Sequence, residues 1–315
     1  MSRLPLLVLV GPTGVGKTAV AVRLAGQVAM EVVSADSRQV YRGMDIGTGK
    51  PTAEERAAVP HHLVDVVDPG ERYHAARFRT DALAAIAAVH GRGRLPVVVG
   101  GTGLYVRALL RGLIPLPPAD PVLRAELEGF AAERGAPALH ARLAAVAPDA
   151  ARRLHPNDRV RVVRALEVHA RAGGAPPDPQ EGDWTAASSA WRLVMFGLGR
   201  ARPALNDAIA ARARAMVARG MMDEVRRLIE AGHDPGRPPL DGIGYRQLAL
   251  AAGGRIGVEE AVRLMIRDTT RYAKRQMTWF QREPEIRWLD VDGAGGVDGS
   301  AEAMQKHITR EGLIE

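Results

Sequence analysis

The sequence predicts an α/β protein, a parallel sheet interrupted by a mainly helical insertion. Three observations predict it. Short, unbroken apolar runs occur at residues 6–10, 31–34 and 95–99, as expected for strands buried on both faces. Helical spacing separates them: residues 18–27 carry Val20, Ala21, Leu24 and Ala25, and residues 81–90 form an alanine-rich segment. Strands alternating with helices build a parallel sheet with its active groups at the strands' carboxyl ends. From Pro121 to about Arg171 strand runs vanish and the chain becomes rich in Ala, Arg and Leu.

The first strand run leads into Gly11-Pro12-Thr13-Gly14-Val15-Gly16-Lys17-Thr18. This satisfies Gly-x-x-x-x-Gly-Lys-Thr at every position and lies between a strand and a helix, as a phosphate-binding loop must. Glycines let backbone N–H groups curl around phosphate oxygens, and the helix N-terminus adds partial positive charge. Lys17 supplies a point charge, and the Thr18 hydroxyl would ligate Mg²⁺. The core is therefore P-loop NTPase-like. The motif serves ATPases and kinases, and would equally hold a pyrophosphate leaving group.

The second strand run ends at Ala35-Asp36-Ser37-Arg38-Gln39-Val40-Tyr41. A carboxylate there stands near the P-loop and can take a proton from a nucleophile. Asp before a short helical segment is equally a helix N-cap, and both readings remain open. Gly100-Gly101-Thr102-Gly103 follows the third run. Thr102 there is either a substrate contact or part of a tight strand-to-helix turn. No acidic residue ends the Val97-Val98-Val99 run, which argues against a motor ATPase.

The insertion runs from Pro121 to about Ala190 and includes a Gly/Pro-rich loop at 173–179. Residues 191–198 read as a returning strand, and helices follow at 205–219, 222–231 and 258–282. Residues 1–120 and 191–290 thus make the catalytic core, 121–190 the insertion, and 291–315 a loose Gly/Asp-rich tail. On the last long helix, Arg267, Arg271, Lys274, Arg275, Thr278 and Arg282 share a stripe, with Met265, Thr269, Tyr272, Gln276 and Phe280 opposite. The stripe carries no acidic residue and reads as a footprint for a phosphate backbone. His155-Pro156-Asn157-Asp158, followed by Arg159, Arg161 and Arg164, starts a second basic helix.

The absence of cysteine excludes disulfides, thiolate nucleophiles and cysteine zinc sites. With no bilayer-length apolar run and no signal peptide, a cytoplasmic monomer without membrane association is expected. The net charge of +7 favours polyanionic partners.

In this order along the chain, the blocks resemble the bacterial tRNA dimethylallyltransferases, or tRNA isopentenyltransferases. The matching residues are Gly11 to Thr18, Ser34-Ala35-Asp36-Ser37 with Gln39-Val40-Tyr41, Met44 to Thr48 with Lys50-Pro51, and Pro60-His61-His62. Gly100 to Tyr105, His155 to Asp158, Gly244-Tyr245-Arg246-Gln247 and Thr270 to Gln276 with Thr278-Trp279 complete the series. The resemblance implies transfer of a dimethylallyl group from its diphosphate to N6 of the adenosine 3′ to the anticodon. It implies that the P-loop and Mg²⁺ hold the diphosphate, that Asp36 takes or orients the amine proton, and that Thr102 assists. The target base is expected to flip into the pocket, near Ser37, Arg38 and Gln39. Arg124, Arg161, Arg164, Gly244, Tyr245, Arg246, Arg271, Lys274 and Arg275 are the further tRNA-binding positions it implies. Family members often show Arg-Ile-x-x-Arg where this chain has Ala208-Ile209-Ala210-Ala211-Arg212, leaving Arg212 to reach the pyrophosphate. The cysteine-bearing zinc finger of eukaryotic relatives is absent.

Alternatives from other classes are a P-loop nucleoside or nucleotide kinase, an isopentenyltransferase on free AMP or ADP, and a non-catalytic RNA-binding protein. The insertion and basic stripe count against the first two, and the intact P-loop against the third.

Overall fold

The computed structural model describes residues 3–114, 116–172 and 191–314; the predicted loop at 173–179 lies outside them. The strands are β1 (Leu4–Val10), β2 (Met30–Ser34), β3 (His61–His62), β4 (Leu95–Gly100), β5 (Trp191–Gly199) and β6 (Ile286–Asp290). They form one sheet in the order β3-β2-β4-β1-β5-β6, with every neighbouring pair parallel. Helices α1 (Lys17–Ala25), α2 (Ala53–Ala58), α3 (Ala75–Gly91) and α4 (Gly103–Arg111) belong to the first half. Then come α5 (Pro121–Arg134), α6 (Ala136–Val146), α7 (Pro148–Arg153) and α8 (Arg159–Ala172). After β5 follow α9 (Arg202–Ala218), α10 (Met221–Glu230), α11 (Tyr245–Ala252), α12 (Val258–Phe280) and, beyond β6, α13 (Gly296–Arg310). The chain divides into two compact units, Met1–Arg111 with Ala187–Glu315, and Gly112–Ala186.

The apolar runs are continuous because both faces of the sheet are covered. On β1, Leu7 and Leu9 join one core with Val20 and Leu24 of α1 and with Met304 and Ile308 of α13. Leu6, Val8 and Val10 join another with Phe78 and Ile86 of α3 and Leu109 of α4. Each fully buried Leu or Val of this kind stabilises by about 1.5–3 kcal/mol. A third apolar cluster joins the 40–44 segment to α9, α10, α11 and α12. Register decides where the turns open: Val10 pairs level with Gly100 and Gly197, and Ser34 with Val99. The loops after β1, β2, β4 and β5 therefore emerge at one edge.

Several elements differ from the sequence reading. The segment after Asp290 is not a loose tail, because α13 buries Ser300, Ala301, Met304, His307 and Ile308. Its glycines mislead: Gly295 is a left-handed N-cap that starts the helix, and the apolar residues behind it recur at helical spacing. The two-residue β3 and the edge strand β6, whose Arg287 and Trp288 are exposed, lack the apolar signature of the central strands. Helices α2, α4 and α11 are also additional.

In the second unit, Leu127, Leu139, Leu143, Val162 and Leu166 form the core. Buried Glu167 accepts from the Asp120 N–H at 2.5 Å, from Arg124 at 2.8 Å and from Arg164 at 2.7 Å. Burial would raise its carboxyl, but these hydrogen bonds, led by Arg164, outweigh that and hold it below the usual range.

Candidate active site

The loop at 11–18 leaves β1 and enters α1 as its motif demands. Gly16 is the N-cap of α1 at φ +103°, a backbone region that side chains rarely enter. The helix end offers unsatisfied N–H groups to an anion. Lys17 Nζ donates to the carbonyls of Gly11 and Pro12, both at 2.9 Å. Burial pulls this ammonium down to about 8; the Asp36 charge opposes the shift and the Arg212 charge adds to it. Arg212, from α9, donates to Thr13 Oγ1 at 2.8 Å. A Cβ on residue 49 would displace that guanidinium, and its φ of +60° disfavours any side chain there. Two cations meeting at a helix N-terminus make a seat for polyphosphate.

Asp36 uses one oxygen structurally. Its Oδ1 accepts from the N–H groups of Arg38 at 2.8 Å and Gln39 at 3.3 Å. The capping geometry is thus present, and the second carboxylate oxygen is left for other chemistry. Thr102 N–H donates to the Ala35 carbonyl at 3.3 Å, and Thr102 Oγ1 accepts from the Ser37 N–H at 3.1 Å. The loops after the adjacent strands β2 and β4 are therefore laced together beside the P-loop.

Thr13, Asp36, Ser37, Arg38 and Arg212 line one cleft of about 360 Å³ together with Ile209, Ala213, Met216, Tyr245, Met265, Tyr272 and Arg275. Thr13 and Arg212 of the phosphate seat, the carboxylate and the apolar wall share it, while Lys17, Thr18 and Thr102 do not line it. Burial pushes the Tyr272 hydroxyl up to about 12, so it stays protonated at neutral pH. Thr18 opens α1 next to Lys17. Among the described residues no three His, Cys, Asp or Glu side chains converge to hold a metal. A hydroxyl beside a polyphosphate seat suits a hard cation that takes its other ligands from phosphate and water.

Other residues singled out from the sequence have structural partners. Arg38 donates to the Pro239 carbonyl at 2.7 Å and meets Asp241 at 3.3 Å. Gln39 donates to the Gly49 carbonyl at 3.0 Å. The Gly244 N–H donates to Gln247 at 2.7 Å and the Tyr245 hydroxyl to Glu224 at 2.6 Å. Arg246 pairs with Asp268 at 2.8 Å. The basic stripe on α12 is not free of acid: Asp268 lies 2.9 Å from Arg267 and 3.9 Å from Arg271. A buried carboxylate one position from the stripe reaches it because arginine is long. Lys274, Arg275 and Arg282 remain exposed. In the second unit, Arg161 is exposed and pairs with Asp158 at 2.8 Å, while Arg124 and Arg164 hold Glu167.

Two residues that shape the site were given no site role by the sequence. Buried Glu224 accepts from the N–H groups of Asp45, Ile46 and Gly47. Gln276, on the less charged face of α12, bonds both the P-loop and the loop after β4. The available signal was a polar residue on a buried helix face.

Cradle, carboxylate and apolar wall in one cleft define an enzyme of P-loop NTPase-like fold that sets a phosphate compound against an acceptor. The chain belongs to the IPP transferase family, whose profile matches residues 39–283; the isopentenyl transferase profile matches residues 4–62. It is 45% identical to the tRNA dimethylallyltransferase of Thermomicrobium roseum, over 98% of this chain and 93% of that one. It is 51% identical to that of Anaeromyxobacter dehalogenans, over 90% and 92%. The crystal structure of the full-length tRNA isopentenylpyrophosphate transferase from Bacillus halodurans superposes with a TM-score of 0.71, at 39% identity over 98% of both chains. A eukaryotic dimethylallyltransferase acting on tRNA gives 0.80, at 27% identity over 98% of this chain and 79% of that one.

Proposed function

We propose that this enzyme transfers a dimethylallyl group from dimethylallyl diphosphate to N6 of the adenosine 3′-adjacent to the anticodon of tRNA. The observation that carries this is the shared cleft: the wall of Ile209, Ala213, Met216 and Met265 beside the phosphate seat suits a branched hydrocarbon chain attached to a diphosphate. Lys17, Arg212 and the N–H groups of residues 14–18 hold the diphosphate, the Thr13 N–H being taken by Gln276. Their charge stabilises the departing pyrophosphate more than the intact ester, which is what lowers a barrier. The N6 lone pair attacks C1, the C1–O bond breaks, and its electron pair leaves with pyrophosphate. The proton lost from N6 passes to the Asp36 carboxylate, while Thr102 steadies the amine. Mg²⁺, held by the Thr18 hydroxyl and the substrate's phosphate oxygens, would supply further positive charge to the leaving group.

The adenine must leave its stack to reach this cleft. On this reading Ser37, Arg38 and Tyr245, which line the cleft, meet the flipped base, and Gln39, Gly244 and Arg246 beside them in sequence contact the RNA. Lys274, Arg275 and Arg271 of α12 take the RNA backbone, as do Arg161, Arg124 and Arg164 of the second unit. The reading sets the reaction in the cytoplasm; a monomer suffices for it, since one chain supplies both the cradle and the acceptor loop.

Purified protein given dimethylallyl diphosphate, Mg²⁺ and unmodified tRNA should release pyrophosphate and prenylate the RNA. Asp36→Ala should abolish turnover and leave tRNA binding nearly intact. ATP-dependent phosphorylation, or prenylation of free AMP but not tRNA, would overturn the assignment.

A further inference from the structure

Gln276 is buried on α12. Its Oε1 accepts from the Thr13 N–H at 2.9 Å, and its Nε2 donates to the Gly101 carbonyl at 2.8 Å. Both ends of one planar amide are therefore committed to the backbones of two different loops. Thr13 belongs to the phosphate cradle and touches Arg212. Gly101 directly precedes Thr102, whose hydroxyl accepts from the Ser37 N–H. The approach is close enough that a Cβ on residue 101 would run into Nε2. Filling this volume does not require an amide, since Met has the same length. Burying the amide is costly unless both hydrogen bonds are made.

We propose that Gln276 is a positioning residue that sets the spacing between the leaving-group cradle and the acceptor loop. Its amide is the fixed spacer through which N6, C1 and the departing oxygen fall into line. It touches neither substrate. The inference rests on the prenyl-transfer reading above. Rigid placement of two reactants supplies much of an enzyme's rate, and a displacement near 1 Å costs about 100-fold.

The test is steady-state kinetics of the full chain with dimethylallyl diphosphate, Mg²⁺ and unmodified tRNA, beside thermal melting of each variant. Gln276→Met keeps the length and loses both hydrogen bonds; kcat should fall about 100-fold, with KM for each substrate within about threefold of wild type. Gln276→Glu keeps the acceptor for Thr13 and loses the donor to Gly101; kcat should again fall, by at least about tenfold, so a folding defect in one variant leaves the other decisive. A space-filling role predicts that Met is harmless. A folded variant with kcat within about threefold of wild type, or a loss carried by KM alone, overturns the inference. Wild-type protein that prenylates no tRNA overturns the functional reading itself. Prenylation at equal rates by wild type and variants overturns only the role of Gln276.

Discussion

Glu224→Gln isolates the support of one wall of the cleft. The wild-type carboxylate is buried and accepts four hydrogen bonds. Its Oε2 takes the N–H groups of Asp45 at 2.9 Å and Ile46 at 2.8 Å, and its Oε1 those of Gly47 at 3.1 Å and the Tyr245 hydroxyl at 2.6 Å. Glutamine has the same shape, so no cavity forms. Its best placement keeps the amide oxygen at the Oε2 position and turns the NH₂ toward Gly47. The part-buried Gly47 N–H is then left without a partner, and the buried Tyr245 hydroxyl loses its acceptor and must turn to accept from the NH₂, together about 1–3 kcal/mol. The two surviving bonds lose their charge assistance, about 1 kcal/mol each. Together these come to about 3–5 kcal/mol, which at about 2–4 °C per kcal/mol lowers the melting midpoint by roughly 10 °C. Paired thermal and urea unfolding of wild type and variant measures it. A midpoint shift under about 2 °C would mean that the carboxylate does not hold the 45–47 segment, and the reasoning fails.

Two further predictions concern charge. The folded-state pKa of Lys17 is depressed to about 8, so its ammonium is fully present below that value and lost as pH rises through it. A bound diphosphate favours the ammonium, so affinity should fall with pH above about 8; in Lys17→Met that component of the slope should vanish, as titration calorimetry with pyrophosphate can show. Equal slopes in the two proteins would contradict it. Lys274→Ala combined with Arg275→Ala should lower the slope of log affinity for tRNA against log salt by about 0.7–0.9 for each phosphate no longer neutralised. An unchanged slope would return this stretch of α12 to ordinary solvation.

What the sequence determined by itself was local. The P-loop needs only eight consecutive residues, and its neighbours declare a strand before and a helix after. The doubly covered sheet was legible for a similar reason, since burial on both faces writes an unbroken apolar run at residues 6–10 and 95–99. Asp36 could be placed near the phosphate because parallel strands bring their carboxyl ends to one edge. Its double use, as cap and as carboxylate in the cleft, could not be separated until its two oxygens had positions. The blocks that resemble the family marked Gln276 and Gly47 without saying what either touches.

The tertiary structure alone decided the pairings. Thr13 meets Gln276 across 263 residues and Arg212 across 199, and Asp45 meets Glu224 across 179. A sequence states which side chains can donate or accept, but not which distant partner folding will bring within 3 Å. The apparently acid-free stripe on α12 failed for the same reason, because Asp268 reaches it from a buried position. So did the glycine-rich C-terminal segment, whose helix is fixed by the apolar seat it fills against α1. Composition names the chemistry available; packing decides which groups perform it.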